Sequence, residues 1–154
     1  MGEITLVRHG QANSAATDEA GYDKLTELGH QQARWLGEWM QSHDGPFDTV
    51  FAGSLRRQQE TVAGMGFTNV TTDPRLNEIA YYDLTAEMET YEPASKRAGP
   101  DDFHVHFPAT LNAWRDGHIQ GNETYEAFCT RVTEVIEMAA QPGKRILCVT
   151  SGGI

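Results

Sequence analysis

The sequence predicts an α/β fold: a mostly parallel sheet with helices on both faces, with an inserted cap. Two observations carry this. Short apolar, β-branched runs alternate with longer amphipathic stretches, as in strand–helix–strand units. The alternation then breaks over residues 79–121, where Pro93, Pro100 and Pro108 fall among acids and clustered aromatics. Residues 1–154 are expected to form one domain, with 79–121 as a cap of one or two helices and loops.

The first strand is predicted over 3–7, where Ile4-Thr5-Leu6-Val7 reads as a buried strand. A helix over 26–43 follows, with Leu28, Leu36, Trp39 and Met40 on one stripe and Trp35 at its margin. Gly45-Pro46 ends that segment. Thr49-Val50-Phe51-Ala52 is the second strand, 55–64 the next helix and Asn69-Val70-Thr71-Thr72 the third strand. The last pair is a helix over 123–140 and the strand Ile146-Leu147-Cys148-Val149. In that helix Tyr125, Phe128, Cys129, Val132 and Ile136 share a face, and Asn122 is the expected N-cap. A strand ending in Ser151-Gly152-Gly153 feeds a helix in such layers. The natural protein is therefore expected to continue past Ile154, with an apolar-striped helix starting near Gly153.

At 154 residues, 39% of them hydrophobic, the chain can bury one respectable core. A net charge of −10 and the lack of a basic run argue against nucleic acid or an anionic membrane as partner. An acidic protein that handled an anion would confine its positive charge to a pocket, for which Arg8, Arg56 and Arg57 are candidates. Cys129 and Cys148 have no metal-ligand spacing and are expected to be buried thiols, in keeping with a reducing cytoplasm. Neither a leader pattern nor an apolar run of about 18 residues is visible, so the expected location is cytoplasmic. No metal site is expected. Oligomeric state is not legible.

Arg8-His9-Gly10 stands at the carboxyl end of the first strand, where open α/β sheets bind ligands. Leu6-Val7-Arg8-His9-Gly10-Gln11 resembles the signature of the histidine phosphatase superfamily, also called phosphoglycerate-mutase-like. Gly53-Ser54-Leu55-Arg56-Arg57-Gln58-Gln59-Glu60-Thr61 resembles its second arginine motif, with Arg57 on the arginine. Leu76-Asn77-Glu78 resembles the motif that carries its acidic residue. The fourth motif is altered: most members read Val-Ser/Thr-His-Gly-Gly, and this chain reads Val149-Thr150-Ser151-Gly152-Gly153.

The resemblance implies that His9 is a nucleophile that carries the phosphoryl group. That chemistry needs a neutral ring whose other nitrogen is held by a hydrogen bond, and a turn at Gly10 can bring a backbone carbonyl close enough. Arg8 and Arg57 would grip the phosphoryl oxygens, since a guanidinium matches phosphate bidentately. Arg56 is expected to point elsewhere. Glu78 would protonate the leaving group and then activate water, a role favoured by partial burial or a nearby anion. Gln11 and the amides of Gly152 and Gly153 are further candidates for phosphate contact. Ser151 offers one hydroxyl donor and no charge, and His104 or His106 from the cap are candidates to compensate. Tyr81 and Tyr82 either border the leaving group or pack in the core.

In the resembled family the insertion lies over the active site and sets the substrate. The implied activity is a cofactor-free phosphomonoesterase acting through phosphohistidine on a small phosphorylated substrate. The alternatives are a phosphoglycerate-mutase-type phosphotransferase, or a low-activity phosphate-binding regulatory protein, which Ser151 favours.

Overall fold

The computed structural model describes residues 2–96 and 102–154; the predicted cap proline Pro100 lies outside them. In chain order the elements are β1 (Glu3–Arg8), α1 (Glu19–Tyr22), α2 (Glu27–His43), β2 (Thr49–Ala52), α3 (Arg56–Gly64), β3 (Val70–Thr72), α4 (Tyr81–Tyr91), α5 (Phe103–Arg115), α6 (Tyr125–Ala139) and β4 (Arg145–Thr150). Short 3-10 turns occupy Pro74–Leu76 and Pro93–Ser95. The α/β class is as predicted. Among the described residues, no helix is long and apolar enough to cross a membrane.

The sheet has four strands in the order β1-β4-β2-β3, and every pair is parallel. The last strand in sequence is thus internal. β4 pairs with β1 on one side and β2 on the other, and only Arg145 of its six residues is not fully buried. A parallel strand covered on both faces needs such a run, Ile146-Leu147-Cys148-Val149. Side chains alternate across it. Leu147 and Val149 join Val7, Ala33, Met40, Val50, Ala52, Val62 and Met65 on one face. Ile146 and Cys148 join Phe51, Leu76, Val135 and Ala139 on the other. So α2 and α3 cover one face and the end of α6 covers the other.

The register matters for function. Arg8 lies opposite Thr150, and Ala52 opposite Val149. The carboxyl ends of β1, β4 and β2 therefore finish level, with His9, Ser151 and Gly53 next in the chain.

The residues divide into two compact units: Met1–Glu78 with Val132–Ile154, and Ile79–Arg131. In the second, Trp114 Nε1 donates to the carbonyls of Gln120 and Glu123 at 3.1 and 2.9 Å. Arg131 grips the Glu123 carboxylate with two donors, at 2.8 and 2.6 Å, and covers the Phe128 ring. Tyr81 packs against Tyr82, Phe103 and Phe107.

Three expectations are corrected. In α2 the buried residues are Gly29, Ala33, Gly37 and Met40, whereas Leu28, Trp35 and Trp39 are 46%, 56% and 52% exposed. The helix rides too close to its neighbour for large side chains: a Cβ at Gly37 would collide with the Met65 carbonyl, and one at Gly64 would lie 2.9 Å from the Ala33 Cβ. The N-cap of α6 is Thr124, whose Oγ1 accepts from the Ala127 N–H at 3.1 Å, not Asn122. The buried positions of α6 include Val135 and Ala139, while Tyr125 is exposed and Cys129 only half-buried.

The close approach of α2 predicts that Gly37→Ala lowers stability by about 1–3 kcal/mol, because backbone cannot move aside as a side chain would. Trp35→Ala should stay within about 0.5 kcal/mol. Denaturant unfolding of the two variants checks this; equal losses would contradict it.

Candidate functional site

His9 follows the last residue of β1, and its N–H donates to the Thr150 carbonyl at 2.9 Å, continuing the ladder to β4. The side chain is 8% exposed. Its Nδ1 lies 2.7 Å from the Gly10 carbonyl oxygen. A carbonyl can only accept, so Nδ1 carries the hydrogen and Nε2 keeps its lone pair. Burial lowers the His9 pKa; the Gly10 carbonyl opposes this, and the Arg57 and Arg8 charges add to the lowering. Gly10 is fixed in turn: its N–H donates to Thr61 Oγ1 at 3.0 Å, and a Cβ there would press into the backbone of Gly29.

Arg57 sits in the first turn of α3 and is 1% exposed. Its Nη1 donates to Glu19 at 2.7 Å and to Asp23 at 3.1 Å. Its guanidinium carbon stands 4.9 Å over the Tyr22 ring, and that ring meets the His9 ring edge-on with centroids 6.4 Å apart. Among the described residues, Nε of Arg57 is buried with no hydrogen-bond partner. Arg56 differs, as expected: its side chain is 65% exposed and pairs with Glu60 at 2.6 Å. Asp23 also accepts from the backbone N–H groups of Arg56 and Arg57, both at 3.0 Å, so it caps α3 where Leu55 offers no side-chain oxygen.

Glu78 is half-buried, and its Oε2 accepts from the Gly153 N–H at 3.1 Å. A Cβ at Gly153 would collide with that carboxylate, so glycine permits the approach. The Gly153 amide is therefore directed at Glu78. Gly152 lies beside Arg8, whose Nε would be 3.4 Å from a Cβ placed there. Arg8 is exposed and makes no hydrogen bond among the described residues.

Ser151 is 4% exposed, and its Oγ accepts from Gln58 Nε2 at 2.9 Å. Gln11 is exposed: its Oε1 accepts from Thr26 Oγ1 at 2.8 Å, and its N–H donates to Gln32 at 2.8 Å. The first unit thus holds His9, Arg8, Arg57, Glu78, Ser151, Gln11 and Gly152 at or next to the carboxyl edge of its sheet. Tyr81, Tyr82, His104 and His106 belong to the second unit. His106 is buried there, with Nδ1 3.4 Å from Tyr81 Oη and 3.3 Å from Thr110 Oγ1; His104 is exposed. Among the described residues, no group of three or more His, Cys, Asp or Glu side chains could hold a metal ion.

Sequence reasoning missed Glu19, Asp23 and Gln58. The acids lie 38 and 34 residues from Arg57, and one general signal was available: a buried cation requires acidic partners.

The profile of the histidine phosphatase superfamily (branch 1) matches residues 4–154. The chain is 31% identical to a 2,3-bisphosphoglycerate-dependent phosphoglycerate mutase of Methylorubrum extorquens, over 97% of this chain and 73% of the mutase. Its fold is similar to the alpha-ribazole phosphatase of Shigella flexneri, with a TM-score of 0.63 at 23% identity over 96% of this chain and 73% of that one. It is also similar to a mycobacterial glucosyl-3-phosphoglycerate phosphatase, with a TM-score of 0.62 at 21% identity over 96% and 75%.

The His9 environment predicts a pH effect. Its folded pKa lies below the ordinary 6.5, so between that value and 6.5 the unfolded chain binds more protons. The contribution of the neutral ring to stability is full above 6.5 and is lost as pH falls through the folded value. An NMR titration of the ring should show a midpoint below 6.5, moved upward in Arg8→Gln; a midpoint at or above 6.5 would contradict the assignment.

Proposed function

The chain belongs to the histidine phosphatase superfamily, branch 1, and on that premise we propose that it is a phosphomonoesterase that passes a phosphoryl group through His9 to water. The observation that carries this reading is the Nδ1 contact of His9 with the Gly10 carbonyl. It leaves Nε2 as a nucleophile on a buried, neutral ring beside a buried cation.

In the proposed reaction Nε2 attacks phosphorus, the phosphorus–oxygen bond to the leaving group breaks, and Glu78 gives the departing oxygen a proton. Glu78 then takes a proton from water as that water attacks the phosphohistidine. Phosphate leaves and the ring is restored. Arg57 and Arg8 neutralise the phosphoryl oxygens, which is most of what such a transfer needs. Ser151 and the Gln11 amide supply neutral donors. The substrate is a small phosphorylated molecule. No metal or cofactor enters the scheme.

Two other readings have support. The mutase relatives at 31% identity favour return of the phosphoryl group to the substrate instead of to water. The uncharged Ser151 favours a phosphate-binding protein with little turnover. Release of inorganic phosphate, formation of a positional isomer, or binding of orthovanadate without either product separates the three.

Labelled substrate, quenched in excess chelator, should leave an acid-labile, base-stable label on His9, and His9→Gln should lower turnover by about 10³ or more. Label on a serine would overturn the mechanism. Glu19 provides a second check. Its carboxylate holds Arg57 Nη1 and must yield to a phosphoryl oxygen that uses the same donor. Glu19→Gln should therefore tighten orthovanadate binding; weaker binding, with the fold intact, would show that Glu19 orients the arginine for the anion.

A further inference from the structure

Gln58 stands next to Arg57 in α3, yet its side chain is completely buried and points to the end of β4. One Nε2 hydrogen goes to the Leu76 carbonyl at 3.0 Å and the other to Ser151 Oγ at 2.9 Å. Its Oε1 accepts from the Leu55 N–H at 3.2 Å. The same Leu76 carbonyl accepts from Thr150 Oγ1 at 2.7 Å. This small buried network joins the start of α3, the end of β4 and the turn that leads to Glu78.

The network has one hydrogen-bond polarity. Leu76 O can only accept and Leu55 N–H can only donate, so the Gln58 amide cannot be turned over without opposing like groups at both ends. Ser151 Oγ must then accept. A hydroxyl has a single proton, and among the described residues that proton has no acceptor. A buried hydroxyl that accepts without donating is half used.

We propose that Gln58 is a positioning residue that aims the Ser151 hydroxyl proton at the phosphoryl group, so that the Gln58–Ser151 pair serves in place of the histidine found in the usual fourth motif. This rests on the phosphoryl-transfer reading of the site above. Ser151 follows Thr150, whose carbonyl accepts from the His9 N–H, so the oriented donor is fixed to the same sheet edge as the nucleophile. A preorganised neutral donor at developing charge is worth on the order of 10²–10³ in rate. The pair is also mutually adapted. An imidazole whose Cγ took the place of the serine Oγ would press on Gln58 Nε2, which lies 2.9 Å from that oxygen.

The test is steady-state hydrolysis of p-nitrophenyl phosphate by the full chain, with orthovanadate binding and thermal unfolding measured alongside. Ser151→Ala and Gln58→Ala should each lower kcat by about 10²-fold with little change in KM, because the donor acts where charge develops. The double variant should fall no lower than Ser151→Ala, since Gln58 acts through Ser151. Gln58→Leu keeps the bulk without the donors and should repeat the kcat loss if Gln58→Ala folds poorly. Ser151→His alone should be slower than wild type, and Ser151→His with Gln58→Ala faster than Ser151→His. Losses that add in the double variant, an unchanged kcat in both Gln58 variants, or a Ser151→His enzyme faster than wild type would each overturn the proposal. If His9→Gln hydrolyses the ester as fast as wild type, the phosphohistidine reading fails and this one with it. Turnover that depends on His9 but is indifferent to Gln58 removes this inference alone.

Discussion

Much of the candidate site follows from one constraint, the burial of the Arg57 charge at the start of α3. A helix N-terminus already carries partial positive charge, so a cation enclosed there is doubly unfavourable unless acids meet it. Asp23 answers both demands at once. One of its oxygens receives the Arg57 N–H and Nη1, the other the Arg56 N–H, so the residue caps the helix and neutralises the guanidinium. Glu19 adds the second carboxylate and Tyr22 the ring face. The same four-residue helix, α1, therefore brings Tyr22 against the His9 ring. The charge that needs these partners also helps to hold His9 neutral.

The second constraint is geometric. In a parallel sheet all carboxyl ends lie on one edge, and β4 sits between β1 and β2. A residue from each of these strand ends is then delivered to one line without any long side chain. Gly10 and Gly153 tighten that edge: one lets the β1 loop pass against α2, and the other lets the β4 loop meet Glu78. Both are positions where a single methyl group would push backbone or carboxylate away.

How much of this was legible follows from the range of the forces involved. Strands such as Thr49–Ala52 depend on local composition and were read to the residue. His9, Arg57 and Glu78 became candidates because their neighbours form short, ordered patterns, and the structure separates the exposed Arg56 from the buried Arg57. The α2 stripe misled, since periodicity reports which face is apolar but not how near the next helix comes; at Gly37 and Gly64 contact is made by absence of side chain. Thr124 and Asn122 are both good caps, and the choice depends on where α6 meets its first packed residue. Glu19, Asp23 and Gln58 were harder to read for a different reason. Each acts on a partner brought by folding from elsewhere in the chain, and nothing local separates Asp23 or Gln58 from polar residues that stay on the surface.

A neutral serine at 151 makes more sense beside the charges already present. Arg8 and Arg57 offer two permanent positive charges in the same unit as the carboxyl groups of Glu19, Asp23 and Glu78. An imidazolium at 151 would change that balance with pH, whereas a hydroxyl fixed by a buried amide offers the same donor at every pH. What it gives up in charge it keeps in direction, because the Leu76 carbonyl and the Leu55 N–H leave the Gln58 amide only one orientation.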